Sequence, residues 1–213
     1  MMWQHGTLTD LGTLPGGCIT NAGGINDSGQ VTGASSTTTS GRAFLWQNGT
    51  MQDLGTLGGC SSAGTAINAS GVVVGSSDTT GNCGSWWQAF EYVGGHMVAL
   101  GVPPGTGVST ATAINSSGVI VGYGGAQGDH VGFVVRGSGM EVLNNLIDGR
   151  FGWNIEDPAA VDDLGRIVGT GYRFGKIRAF MLTPTSIGSS RAQPLRQVAP
   201  WASLTARRLR ELS

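Results

Sequence analysis

One short pattern recurs four times at intervals of 42 to 47 residues. Gly-x-Val-x-Gly and its isoleucine variants occupy Gly29–Gly33, Gly71–Gly75 and Gly118–Gly122, and the fourth copy reads Ile167-Val168-Gly169. Ahead of the copies lie Ile25-Asn26, Ile67-Asn68, Ile114-Asn115 and Val161-Asp162. Behind them lie Ala43-Phe44, Ala89-Phe90, Gly132-Phe133 and Ala179-Phe180. A fourth element runs Thr9-Asp10-Leu11-Gly12, Gln52-Asp53-Leu54-Gly55, Val98-Ala99-Leu100-Gly101 and Met140-Glu141-Val142-Leu143. Four short apolar segments in a unit of this length are the mark of a propeller blade.

Each repeat therefore reads as four strands, A to D: Ala111–Asn115, Val119–Tyr123, Arg42–Trp46 and Met51–Leu54 are clear examples. Between A and B sits Asn-x-Ser-Gly, at Asn26–Gly29, Asn68–Gly71 and Asn115–Gly118, with Asp162–Gly165 as the variant. An Asx side chain followed three residues later by glycine suits a tight hairpin. The chain opens on a D-type strand, Thr7–Leu11, and reaches its last C-type strand at Arg178–Leu182. The expected fold is all-β: a four-bladed β-propeller over residues 1–184, whose amino-terminal strand completes the last blade. The strand sets are 7–11 with 158–182, then 22–54, 64–100 and 111–143. A five-bladed ring and an open stretch of a longer array are the alternatives.

Composition excludes the competing classes. Glycine supplies 38 of 213 residues, against a usual share of about 7 %. With only seven prolines and no three-residue period, the chain is not collagen-like. So much glycine disfavours helical bundles, at about 1 kcal/mol per interior position. A net charge of −1 with 39 % hydrophobic residues disfavours disorder. No apolar run is long enough to span a membrane. Residues 184–213 carry five arginines and one glutamate, leaving −5 on the rest, so the body lacks the basic face that nucleic acid requires. Residues 185–213 read as a basic linker and tail, with helical spacing from Trp201 to Leu212. The start, Met1-Met2-Trp3-Gln4-His5, has no basic n-region or apolar h-region, so no secretion signal is expected in this sequence.

Several of these segments also carry a family resemblance. Asp53-Leu54-Gly55-Thr56-Leu57-Gly58-Gly59, Ala66-Ile67-Asn68, Val73-Val74-Gly75-Ser76 and Arg42-Ala43-Phe44-Leu45-Trp46 resemble the bacterial extracellular HAF repeat. Leu143-Asn144-Asn145-Leu146-Ile147-Asp148, Gly152-Trp153 and Arg178-Ala179-Phe180-Met181-Leu182-Thr183-Pro184 resemble that family's terminal repeat. The resemblance spans residues 2–184. It implies an exported, extracellular or cell-surface repeat protein, and it brings no catalytic residues with it.

Function is sought on the face formed by the B-to-C and D-to-A connections, which carry the irregular sequence. Trp86, Trp87, Tyr123, Trp153 and Tyr172 fall there, offering flat apolar rings to a sugar or surface polymer. The unrepeated acids Asp78, Asp129, Glu156 and Asp157 fall on the same face. Two such carboxylates at suitable separation are the minimum for glycoside hydrolysis, with His130 and Arg150 as assisting groups. Three readings follow: a glycan-binding propeller, a glycosidase and a purely structural surface repeat. No metal site or cofactor is expected: the three cysteines are scattered, and the Gly-x-Gly runs do not open a helix. Cys60 and Cys83 share one face of one repeat, which makes a disulfide between them an expectation.

Overall fold

The computed structural model describes residues 2–4, 6–79, 84, 86–126, 129–137, 139–184 and 204–205, with side chains for all but 2–4, 150 and 204–205. Four antiparallel four-stranded sheets follow one another along the chain. The first holds β3 (Thr20–Ile25), β4 (Val31–Ser36), β5 (Gly41–Gln47) and β6 (Thr50–Asp53). The second holds β7 (Ser62–Ile67), β8 (Val73–Asp78), β9 (Trp87–Val93) and β10 (His96–Gly101). The third holds β11 (Ser109–Ile114), β12 (Ile120–Gly124), β13 (Val131–Arg136) and β14 (Gly139–Val142). The fourth holds β15 (Trp153–Val161), β16 (Ile167–Arg173), β17 (Lys176–Pro184) and β18 (Leu204–Thr205). A separate hairpin, β1 (Met2–Gln4) with β2 (Thr7–Thr9), precedes them. Helix is confined to two 3₁₀ turns, Leu143–Leu146 and Gly149–Phe151, among the described residues.

The repeated turn residues act both locally and between sheets. Asn68 Oδ1 accepts from the N–H groups of Ser70 and Val72, each at 3.0 Å, closing the β7–β8 hairpin. Gly71 completes that turn at φ +80°, a region open to glycine at no steric cost. The amide of the same asparagine crosses to the next sheet. Asn26 Nδ2 donates to the Asn68 carbonyl (3.0 Å), Asn68 Nδ2 to that of Asn115 (3.2 Å), and Asn115 Nδ2 to that of Asp162 (2.8 Å). The sequence period is thus a ladder of hydrogen bonds, which ends where Asp162 has no amide to donate and pairs with Arg166 instead.

The mid-strand glycine of each copy has a different reason. A Cβ on Gly33, Gly75, Gly122 or Gly169 would collide with the carbonyl oxygen of Asn21, Ala63, Thr110 or Asp157 on the paired strand. At Gly33 and Gly122 it would also meet the Phe44 or Phe133 ring. These rings are fully buried, as is Phe90. Adjacent sheets enclose separate apolar clusters: Ala43, Leu54 and Phe90 between the first and second, Val74, Ala111 and Phe133 between the second and third, and Val121, Ile155 and Phe180 between the third and fourth. Ser62 Oγ accepts the Ala43 N–H and Ser109 Oγ the Ala89 N–H, both at 2.9 Å, so the first two junctions also carry a polar tie.

Several expectations need correction. The amino-terminal strand does not complete the fourth sheet: β2 pairs with β1, and β18 lies outside β17. Met2-Trp3-Gln4 matches Leu45-Trp46-Gln47 in the repeat, so a local C-type strand takes β2 at small loop-closure cost. Among the described residues the sheets close into no barrel. Both ends of the stack stand open: β3 is largely exposed where β7 and β11 are not, and Val168 is 40 % exposed where its counterpart Val121 is fully buried. Within the expected tail helix, Leu204–Thr205 is strand, and its other residues lie outside the described ones. Asp78 and Trp87, expected in a loop, are paired strand residues of β8 and β9. Glu156, Asp157 and Trp153 likewise belong to β15, and Tyr172 to β16.

Candidate functional site

The third and fourth sheets meet beside the β12–β13 connection, and there the unrepeated polar residues converge. β15 carries two register shifts, one between Ile155 and Asp157. Glu156 is the extra residue at that bulge, a device that re-aims a side chain. Glu156 is only 7 % exposed. Its Oε1 accepts from Asn154 Nδ2 at 2.7 Å, and Asn154 Oδ1 accepts from Asn144 Nδ2 at 2.7 Å. Asn144 Oδ1 in turn accepts the Ile155 N–H at 2.7 Å, tying the 3₁₀ turn to the bulged strand. Buried Leu143 anchors that turn in the core between the sheets.

Asp157 turns to the other sheet. Its Oδ1 lies 2.6 Å from His130 Nδ1, so the carboxylate accepts a proton carried on that nitrogen and leaves Nε2 as the second functional atom of the imidazole. Tyr123 stacks on the His130 ring, with centroids 4.3 Å apart and planes 23° from parallel. Burial pushes the Glu156 carboxyl above its ordinary range, and the negative charges of Asp157 and Asp129 push the same way. His130 and the Asn154 hydrogen bond oppose them. A carboxyl whose pKa burial raises, beside further carboxyl groups, is the arrangement that general acid chemistry uses.

The structure thus brings together Tyr123, Asp129, His130, Glu156 and Asp157. The other candidates lie elsewhere. Asp78 is fully buried at the end of β8, where Oδ2 accepts the Gly84 N–H at 2.9 Å and Oδ1 meets no hydrogen-bond partner among the described residues. Trp87 is half-buried opposite it, while Trp86 is 53 % exposed. Trp153 is half-buried edge-on to Phe180 at 6.4 Å, with the Arg173 guanidinium over its ring at 5.8 Å, so it is chiefly a packing residue. Tyr172 is half-buried, paired with Asn154 and Ile177. The Arg150 side chain lies outside the described residues.

Sequence reasoning missed Asn144 and Asn154, whose only signal was an irregular final D-to-A segment. Phe174, expected with Tyr123 and Tyr172 at or just past the ends of the B-type strands, is 75 % exposed at φ +49° in the β16–β17 turn, over a glycine (Gly152) that leaves room for the ring. Cys60 is disulfide-bonded and Cys18 free; Cys83, the expected partner, lies outside the described residues. Among the described residues no three His, Cys, Asp or Glu side chains are grouped to hold a metal, and no helix is long and apolar enough to cross a membrane. In comparisons with known proteins, no family model matches this chain and no curated protein matches it.

Proposed function

We propose that the four sheets are propeller-type blades, and that the junction of the third and fourth is a site for a glycan or similar hydroxyl-rich surface polymer. The observation that carries this reading is the Tyr123–His130 stack, with Asp157 on His130 and buried Glu156 beside it, which the other junctions do not repeat among the described residues. An aromatic ring with convergent donors and acceptors is what recognition of a sugar requires. The family resemblance of the repeats and the disulfide at Cys60 favour an extracellular setting, since disulfides persist in oxidising compartments. Glycan-array binding and calorimetry test the reading. Tyr123→Ala and Asp157→Asn are expected to abolish binding that Trp86→Ala leaves largely intact; retention of binding in both site variants would overturn it.

A second reading, a glycosidase, is favoured by the raised Glu156 carboxyl next to Asp157 and Asp129. Turnover of chromogenic glycosides, lost in Glu156→Gln and in Asp129→Asn or Asp157→Asn, would establish it. Asp78→Asn serves as the control, because Asp78 is buried in the second sheet.

A further inference from the structure

We propose that the two open ends of the sheet stack are halves of one interface, and that a second copy of this chain docks head to tail, its fourth sheet against the first sheet of its neighbour. On the leading side, a groove of about 430 Å³ is lined by Asp10, Leu11, Cys18, Thr20 and Ala22. The corresponding places at the next two junctions are filled by the preceding sheet. Ala43 N–H reaches Ser62 Oγ beside Gly64, where Thr32 packs, and Ala89 N–H reaches Ser109 Oγ beside Ala111. Thr20 and Ala22 are the first-sheet counterparts of these residues, and Ala22 is exposed.

The trailing side presents the matching half. Ala179 occupies the position of Ala43 and Ala89 yet is exposed, where both of those are fully buried. Val168 (40 % exposed) and Met181 (43 % exposed) continue that apolar surface. The outer end of the groove is held by β1 and β2. There the incoming β17 replaces β1 on β2, since Met181-Leu182-Thr183 matches Met2-Trp3-Gln4 in the repeat register, and β18 gives up its pairing with Thr183 and Pro184 on that edge. Two inter-sheet ties are missing from this junction: Asp162 has no amide for the asparagine ladder, and Ala159 stands where Thr65 and Thr112 donate to the next sheet. The contact is therefore weaker than the internal junctions and reversible. Unlike an isologous contact, a heterologous one leaves a free end on each partner, and so builds chains or rings.

Analytical ultracentrifugation tests this with two surface variants, Val168→Arg on the trailing side and Ala22→Arg on the leading side. Both replace exposed side chains, with Thr170→Arg and Ile25→Arg as alternates should either alter the circular dichroism spectrum. The wild-type mass is expected to rise with concentration beyond the monomer, each variant alone to remain monomeric, and an equimolar mixture of the two to form dimers and nothing larger. A wild type that stays monomeric at every concentration, as a chain closed on itself would, overturns the proposal. So does self-association of either single variant, or a mixture that stays monomeric.

Discussion

Replacing Asn68 by aspartate removes one atom pair from the structure and leaves the fold around it in place. The Oδ1 acceptor for Ser70 and Val72 is kept, as Asp162 keeps it for Leu164 and Arg166 in the fourth sheet. What disappears is the donor to the Asn115 carbonyl, 3.2 Å away in a position where Asn68 is only 6 % exposed. Losing a neutral hydrogen bond costs about 1 kcal/mol, and the Asn115 carbonyl still accepts the Gly118 N–H at 3.1 Å, so no bare acceptor adds to that cost. A carboxylate aimed at a carbonyl oxygen adds repulsion, so the loss should be largest when the new side chain is ionised. Protonation restores an O–H donor. The aspartate's folded-state pKa is therefore raised, and the deficit should shrink as pH falls into the carboxyl range. Urea unfolding of wild type and variant across pH measures this as a shift in midpoint at unchanged slope. Asn68→Ala should cost more at every pH, because the turn acceptors go too. A deficit below about 0.5 kcal/mol at neutral pH, within the range of ordinary surface substitutions, or one that does not shrink in acid, would refute the ladder as an energetic tie between sheets.

Other expectations follow from the same geometry. Phe133→Ala empties a fully buried position and should destabilise by about 3–5 kcal/mol, read as a lower urea midpoint. Phe174→Asn should instead stabilise by about 1 kcal/mol in thermal or urea unfolding, because an exposed ring gives up a left-handed backbone position that asparagine tolerates. Glu156 is raised in the folded state, so it holds a proton there that the unfolded chain releases. Its contribution is neutral in acid and becomes destabilising as pH rises from the ordinary carboxyl range through the folded value. Glu156→Gln should flatten that slope, matching wild type in acid and exceeding it at neutral pH; a variant less stable at neutral pH would contradict the desolvation account.

Much of the scaffold was legible from local chemistry. Asn-x-Ser-Gly specifies its hairpin from within four residues, and the short apolar run Ala43–Trp46 marks a strand buried on both faces. Legibility failed where burial was polar. Ser76, Ser77 and Asp78 are buried without an apolar signal, so β8 runs further than expected. It failed again at the amino terminus, where two C-type segments compete for one D-type strand and the nearer one holds it. Of the proposed site residues, Asp129, His130, Glu156 and Asp157 could be singled out as unrepeated polar groups on one face. Nothing in their spacing said that His130 meets Asp157, or that Asn144 and Asn154 support Glu156.

The sequence by itself determined the repeat, its turns and the all-β class, because hairpin geometry and strand alternation are decided by contacts a few residues apart. Only the tertiary structure decided which polar groups face one another across the junctions, which glycines admit a neighbouring carbonyl, and that the ends of the stack stay open. Those outcomes depend on stacking and on single-residue bulges such as the one at Glu156, which reverse a side chain's direction without leaving a trace in composition or period.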